Sequence, residues 1–470
     1  GDAWLIDLAA VDSPGQVPTV LAETLGVRER SGESLVQSVV KAFQVRHTVL
    51  VLDNCEHVID AAADVAQVIA QNCAQVRIIS TSRQRLGVTN ERIISVPPLE
   101  PTGPAVELFN QRALAASSIF EPAAMRPAVE EICRRLDGIP LAIELAAART
   151  ASVSPIALAE RLDDRLTMVE GTRRSGTDRH RTLRSTIRWS YDLLDESEQR
   201  LFRRLSVFVG SFDSDAARHA VSTDEPIDVE LGLSRLVEQS MLTLESGPFG
   251  RRFRLLEPIR EFAHEQLAES ERSDLFSRHA AWCLNEVTAI QRLLAGWGEL
   301  EGVARLGELW PNLRAAVDWA VESGADALGR SLIRPILSEI ILRSHYEIGD
   351  WIERLLEITS PDDDEALVFG LYWAAHRYSV SQDPKAYQRL VDRFGEPNHV
   401  FLRHGRALTE DDYEAMAEWT PEAVIELRRR GDDHLAERAE INVATAWLNL
   451  GRYTECDARL AELLDRYREQ

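Results

Sequence analysis

Lysine is nearly absent from this chain, and its absence excludes a chemistry. Only Lys41 and Lys385 occur in 470 residues; Lys41 follows Val40 and Lys385 follows Pro384. A phosphate-binding loop needs Gly-Lys-Ser/Thr with a further glycine upstream, so no such loop can be drawn in this sequence. Cysteine is scarce as well. Cys55, Cys73, Cys133, Cys283 and Cys456 stand far apart with no C-x-x-C pair, which argues against zinc sites and disulfides and predicts reduced, mostly buried thiols. No apolar run approaches the ~20 residues of a membrane helix. The N-terminus also lacks the basic-then-apolar pattern of an export signal, so a cytoplasmic protein with no membrane partner is expected. Positive charge is in deficit: the formal net charge is −23, which repels nucleic acid and disfavours direct DNA binding by this chain. The sequence opens at Gly1, directly before an apolar strand, and the simplest expectation is that residues upstream have been lost.

The most informative stretch that is present is Thr48-Val49-Leu50-Val51-Leu52-Asp53-Asn54. An apolar β-run ending on an acid reads as a Walker B strand, because a parallel strand buried on both faces is nearly all aliphatic and ligands gather at the carboxyl ends of such strands. Around it, from Trp4 to about Pro98, short apolar runs alternate with helical patterns. Strands are expected at Trp4–Leu8, Thr48–Asp53 and Val76–Ser80, with a short run at Arg92–Val96. Helices are expected over Pro14–Leu25, Ser34–Phe43 and Val58–Gln71. This alternation implies a parallel α/β sheet with covering helices.

A helical stretch follows from Gly103, then a polar linker over Glu170–Arg181. Helix Thr182–Leu194 runs into Asp195-x-x-Glu198, a capping box, which predicts a second helix with Leu201, Phe202, Leu205 and Phe208 on one face. Met241–Leu244 and Phe253–Leu256, separated by Gly247-Pro248-Phe249-Gly250, read as a β-hairpin. Helices followed by a hairpin make a winged-helix shape. From about Ser273 the pattern is helix after helix, and a helical-repeat array is expected.

Four motifs now stand in order: Leu50-Val51-Leu52-Asp53-Asn54-Cys55-Glu56-His57, Ser80-Thr81-Ser82-Arg83, Gly138-Ile139-Pro140-Leu141-Ala142-Ile143-Glu144, and Leu256-Glu257-x-Ile259-Arg260-Glu261-Phe262-Ala263. Together they resemble bacterial signal-transduction ATPases of the STAND class, related to NB-ARC domains and common in actinobacteria as the central module of LuxR-type transcriptional regulators. The resemblance covers roughly residues 3–320, and the low-Lys, high-Arg usage suits a high-GC genome. The fold it implies is multi-domain α/β plus α: an NTPase core remnant over 1–102, a helical domain with the Gly-x-Pro motif over 103–169, a winged helix over 182–270 and a tetratricopeptide-like (TPR-like) array over 273–470.

The resemblance also assigns roles. Asp53 would hold Mg²⁺ through water, a hard oxygen donor beside two phosphates, and Asn54 lies in the same nucleotide-binding motif. Arg83 would sense the γ-phosphate of ATP with its planar, permanent cation. Gly138 and Pro140 would lie against adenine and ribose; the ordinary alternative is a helix start with proline at its first position. Many relatives carry a second acid where this chain has Asn54. An amide cannot take the proton of an attacking water, so turnover should be slow or absent, with Glu56 the remaining candidate base. The segment matching the family's Met-His-Asp motif reads Leu255-Leu256-Glu257, which removes the histidine that contacts ADP in plant and animal relatives. Glu257 and Arg260 are placed to pair with each other.

Two further features invite ordinary readings. Arg173, Arg174, Arg179, His180, Arg181, Arg184 and Arg188 form the one basic run, more readily a solvated or docking linker than a nucleic-acid site. Leu450-Gly451-Arg452-Tyr453-Thr454-Glu455-Cys456 resembles a tetratricopeptide turn, with Trp447 and Ala444 on the preceding helix. Such arrays offer a groove for a protein or small inducer, or a face for self-association. No LuxR-type helix-turn-helix follows before Gln470. Three functions therefore compete: a nucleotide-operated regulatory switch that binds ATP or ADP weakly or not at all as this chain stands, a nucleotide-independent scaffold, and a slow ATPase that borrows its phosphate loop from a missing segment or another chain.

Overall fold

The computed structural model describes the chain except for residues 1, 10, 12, 28–32, 118, 161–177, 222–227, 295, 340–342, 344, 361–362, 364, 371–372, 375–385, 395–398 and 470. It is mostly helical, with a small parallel sheet, and divides into two compact units: residues 1–92 with 283–470, and residues 93–282. No described helix is long and apolar enough to cross a membrane.

In the first unit, strands β1 (Asp2–Asp7), β2 (Thr48–Asp53) and β3 (Val76–Ser80) form a parallel sheet in that order. Helices Val17–Thr24, Leu35–Phe43 and Ile59–Asn72 connect them. Leu35–Phe43 starts where the sequence says it should, because Ser34 accepts the Gln37 N–H and Gln37 returns the bond. The period-2 alternation of the strands divides the sheet sharply. Ile6, Leu50 and Leu52 are buried in one core with Val20, Leu21, Val39, Phe43 and Val65. On the opposite face Leu5 is 60% exposed and Ile79 55%, while Val49 and Val51 are half-buried. The expectation of a strand buried on both faces is thus corrected: among the described residues the sheet is covered on one face.

The short run Arg92–Val96 is a second correction. It forms no strand, and Ile93, Ile94 and Val96 are exposed. A β-run becomes a strand only where a neighbour takes its backbone hydrogen bonds, and no described residue does so here.

The helices of the C-terminal part include Glu299–Glu322, Asp326–Ile333, Tyr346–Ile358, Val400–Thr409, Tyr413–Arg429, Asp433–Asn449 and Tyr453–Glu469. The last three are equal in length and are joined by tight turns at Gly431 (φ 79°) and Gly451 (φ 74°). Both conformations are left-handed, which glycine adopts without Cβ strain. Cys456 is buried just past the second turn, as expected of a small residue that lets helices approach.

In the second unit, helices Pro104–Ala116, Pro122–Arg135 and Pro140–Ala148 bury Phe109, Ile132, Cys133 and Ile143 together. Pro140–Ala148 is enclosed nearly all round, with Ala142, Ile143, Leu145, Ala146, Ala147 and Ala148 buried. The expected linker over Glu170–Arg181 falls largely outside the described residues; from Asp178 onward the chain is helical, in helix Asp178–Asp192. The capping box forms as expected: Asp195 accepts the Glu198 N–H at 2.9 Å and Glu198 accepts the Asp195 N–H at 2.9 Å. The helix it starts, Glu196–Leu205, stops before Phe208, which is instead buried beyond its end and stacked on Phe212 at 4.3 Å. Helices Ser214–Val221 and Val229–Glu238 then lead into a hairpin of β4 (Thr243–Gly247) and β5 (Gly250–Arg254). Phe212 and Phe253 exchange backbone hydrogen bonds of 3.0 and 2.7 Å, tying the hairpin to the helices.

Candidate functional site

Parallel pairing brings the carboxyl ends of β1, β2 and β3 to one edge of the sheet. Asp53 is the last residue of β2, and Asp7 stands opposite it in register on β1. Past β3 the chain turns through Thr81, and this residue organises the edge. Its N–H donates to Leu52 O (2.9 Å), and its O accepts the Cys55 N–H (3.0 Å). Its hydroxyl donates to Asp53 Oδ1 and accepts the Asn54 N–H (2.9 Å). Asn54 is left-handed, φ 61°, a conformation asparagine tolerates better than most residues. The end of β2 and the loop after it are therefore fastened to Thr81 at four points.

Arg83 lies two residues further on, and its Nε pairs with Glu56 Oε1 at 2.8 Å. Glu56 is the more enclosed partner, with its side chain 18% exposed against 45% for Arg83. Asp53 thus ends β2, Asn54 and Glu56 follow in its loop, and Arg83, in the loop after β3, pairs with Glu56. Cys55, between the two acids, is buried, and burial followed by the charges of Glu56 and Asp53 pushes its thiol up to about 11. It is neither a nucleophile nor a ligand in that state.

Gly138 and Pro140 belong to the other unit. Gly138 is left-handed, φ 65°, and its O accepts the Leu99 N–H at 2.9 Å. A Cβ there would stand 2.0 Å from Leu99 O, so the glycine answers a close backbone approach. Pro140 is exposed at the start of its helix, after Ile139 as N-cap. Glu144, from the same motif, pairs with Arg112 at 3.2 Å.

One expectation of ordinary pairing holds. Glu257 and Arg260 meet at 3.8 Å. Of the basic run, Arg184 pairs with Glu265 and Arg188 lies 5.3 Å from the Phe262 ring centre; the side chains of Arg173 to Arg181 lie outside the described residues. Sequence reasoning missed Thr81 as the organising residue and Asp7 as a second acid at the edge. The available signal was position: each ends or follows a strand at the same edge.

Residues 194–268 match the model of a winged helix-turn-helix domain. The chain is 38% identical over 275 residues to "Uncharacterized protein Rv0894" of Mycobacterium tuberculosis, covering 58% of this chain and 70% of that protein. It is also 38% identical over 356 residues to "Putative HTH-type transcriptional regulator Rv0890c" of the same species, covering 75% of this chain. The chain spans 40% of the length of that regulator. Among solved structures, a STAND protein with a tetratricopeptide repeat sensor, PH0952 from Pyrococcus horikoshii, aligns with a TM-score of 0.54 at 14% identity, over 99% of this chain and 74% of that one. That likeness is one of fold.

Proposed function

We propose, because this chain belongs to the family of the mycobacterial protein Rv0894, that it is the nucleotide-responsive switch segment of a LuxR-type transcriptional regulator of the STAND, NB-ARC-like class. The observation that carries this reading is that Asp53, the last residue of β2, bonds Thr81 just past β3, while Arg83, two residues beyond Thr81, pairs with Glu56 of the loop after β2. A hard carboxylate oxygen and a planar cation at one edge suit a magnesium-bound polyphosphate. Asp53 would hold Mg²⁺ through water and Arg83 the terminal phosphate of ATP; bound there, the nucleotide supplies concentrated negative charge. Thr81 keeps the Asp53 carboxylate turned toward the edge. Arg83 must leave Glu56 to meet a phosphate, so the ion pair is the resting arrangement and its exchange is the switching event. A ligand shifts a conformational equilibrium only by its differential contacts, and this exchange is such a contact.

Affinity in this chain is low, because no glycine loop with its lysine cradles the phosphates. Turnover is negligible, because Asn54 stands where a second acid would take the proton of an attacking water, and an amide accepts none. The winged helix serves as an internal lever. Its helix Val229–Glu238 has one cation, Arg235, which pairs with Glu198 at 3.0 Å and Asp195 at 3.4 Å, while its Glu230 pairs with Arg218. The helical repeats would receive a protein or small inducer, or a second copy of the chain.

Calorimetric titration of Mg·ATP and Mg·ADP tests the reading. The expected dissociation constant is weaker than about 10 μM, and Asp53→Ala and Arg83→Ala each weaken it further. Binding unchanged in both variants removes the site, and no binding at any concentration favours the scaffold reading.

A further inference from the structure

We propose that Glu23 is a protonated carboxyl built into the joint between helix Val17–Thr24 and helix Tyr346–Ile358, so that docking of the sheet segment on the helical array takes up one proton and loosens as pH rises. The inference rests on neither nucleotide nor DNA binding.

Among the described residues, the joint has more acid than base. Glu23 Oε1 accepts the backbone N–H of Glu347 at 2.9 Å, in the first turn of the array helix. Glu347 itself is fully buried. Its carboxylate is already satisfied by the buried Arg314, whose Nη2 donates at 2.8 Å and whose Nε donates to the other oxygen, and by Trp310 Nε1 at 2.7 Å. Asp350, one turn on, accepts from the Thr19 hydroxyl at 3.5 Å. Among the described residues, the carboxyl groups of Glu23, Glu347 and Asp350 therefore meet at this joint with the guanidinium of Arg314, whose Nε and Nη2 both go to Glu347.

The described charges beyond these are engaged with one another. Asp318 and Arg354 pair with each other, and Arg343 is engaged by Glu299 and Glu339. His345 stacks on Trp310 at 4.6 Å; burial first, then Arg343, hold its imidazole down at about 4, so it stays neutral at working pH. A neutral acid at Glu23 keeps the hydrogen bond from Glu347 and removes the repulsion. Burial first, then the Glu347 charge, push the Glu23 carboxyl up to about 8, against the pull of the N–H bond and Arg314.

The balance is one proton: an ionised Glu23 in the undocked state takes H⁺ from solvent and becomes a carboxylic acid when docked. The docked group binds its proton more tightly than the free one, whose ordinary value is 4.5. Stabilisation is therefore complete below that value and is lost as pH climbs toward about 8, by up to about tenfold in the docking constant per unit.

Hydrogen exchange of the full chain, corrected for intrinsic rates, tests this between about pH 6 and about pH 8.5. Protection of residues 17–24 and 346–358 is expected to fall across that window relative to helix Tyr453–Glu469. In Glu23→Gln, which fixes the neutral form, it is expected to stay level and to exceed the wild type at the upper end. Asp350→Asn removes one facing charge and moves the wild-type midpoint to lower pH. A flat wild-type profile, an equal fall in Glu23→Gln, or an unmoved midpoint in Asp350→Asn overturns the proposal.

Discussion

At the scale of single residues, structure explains choices that composition leaves open. Thr81 joins two loops through its hydroxyl. Thr81→Ala is expected to cost about 0.5–1.5 kcal/mol in denaturant unfolding, whereas Thr81→Ser, which keeps the hydroxyl, costs little. Equal losses in the two variants would remove the hydroxyl from the account. Gly138 combines a left-handed backbone with a carbonyl 2.0 Å from any added Cβ, so Gly138→Ala is expected to lose about 2–4 kcal/mol. That Asp53 ends an aliphatic strand was legible in the sequence, whereas Arg83 stood out only through the resemblance of its motif to a known family. Thr81 was not legible, since threonine near a strand end is common and its work depends on which strand lies beside it.

At the scale of elements, local rules placed most boundaries. The capping box at Asp195 and Glu198 is a sequence pattern whose physics is complete within four residues. Asp195→Ala should therefore cost about 1 kcal/mol, measurable as a lowered unfolding midpoint with unchanged slope. The strands at residues 48–53 and 76–80 were equally plain. Arg92–Val96 was not, because a β-run carries no information about whether a partner strand is present. Phe208 was misplaced for a related reason: helical spacing continued past the point where Ser206 and Val207 turn the chain. The array helices showed one clear turn at Gly451; the matching turn at Gly431, 20 residues earlier in the numbering, was available from the same glycine signal.

At the scale of the whole molecule, buried charge and proton linkage set the response to conditions. Glu347 and Arg314 form an enclosed ion pair, and removing one partner strands the other. Glu347→Ala is expected to destabilise the chain by about 3–5 kcal/mol. Buried histidines act at acid pH. His404 is enclosed, its Nδ1 2.9 Å from the Thr420 hydroxyl, and burial holds it down at about 4. His345 behaves alike. Because their folded values lie below the ordinary 6.5, the unfolded chain binds more protons, and stability present above about pH 6.5 is lost as pH falls toward about 4. Glu23 works with the opposite sign, losing docking toward alkaline pH. Unfolding monitored across this range should show acid destabilisation that His404→Gln reduces; an unchanged acid limb would assign it to other groups.

The sequence by itself determined the alternation of strand and helix, the caps and glycine turns, the buried thiols and the order of motifs. Each of these is written in neighbours along the chain, where spacing and side-chain type suffice. Tertiary structure alone decided that, among the described residues, one face of the sheet is covered, that Thr81 fastens Asp53, that Glu56 takes Arg83, and that Glu23 meets Glu347 324 residues away. The physical reason is that burial and charge pairing depend on which surfaces meet, and no local pattern encodes a partner hundreds of residues distant.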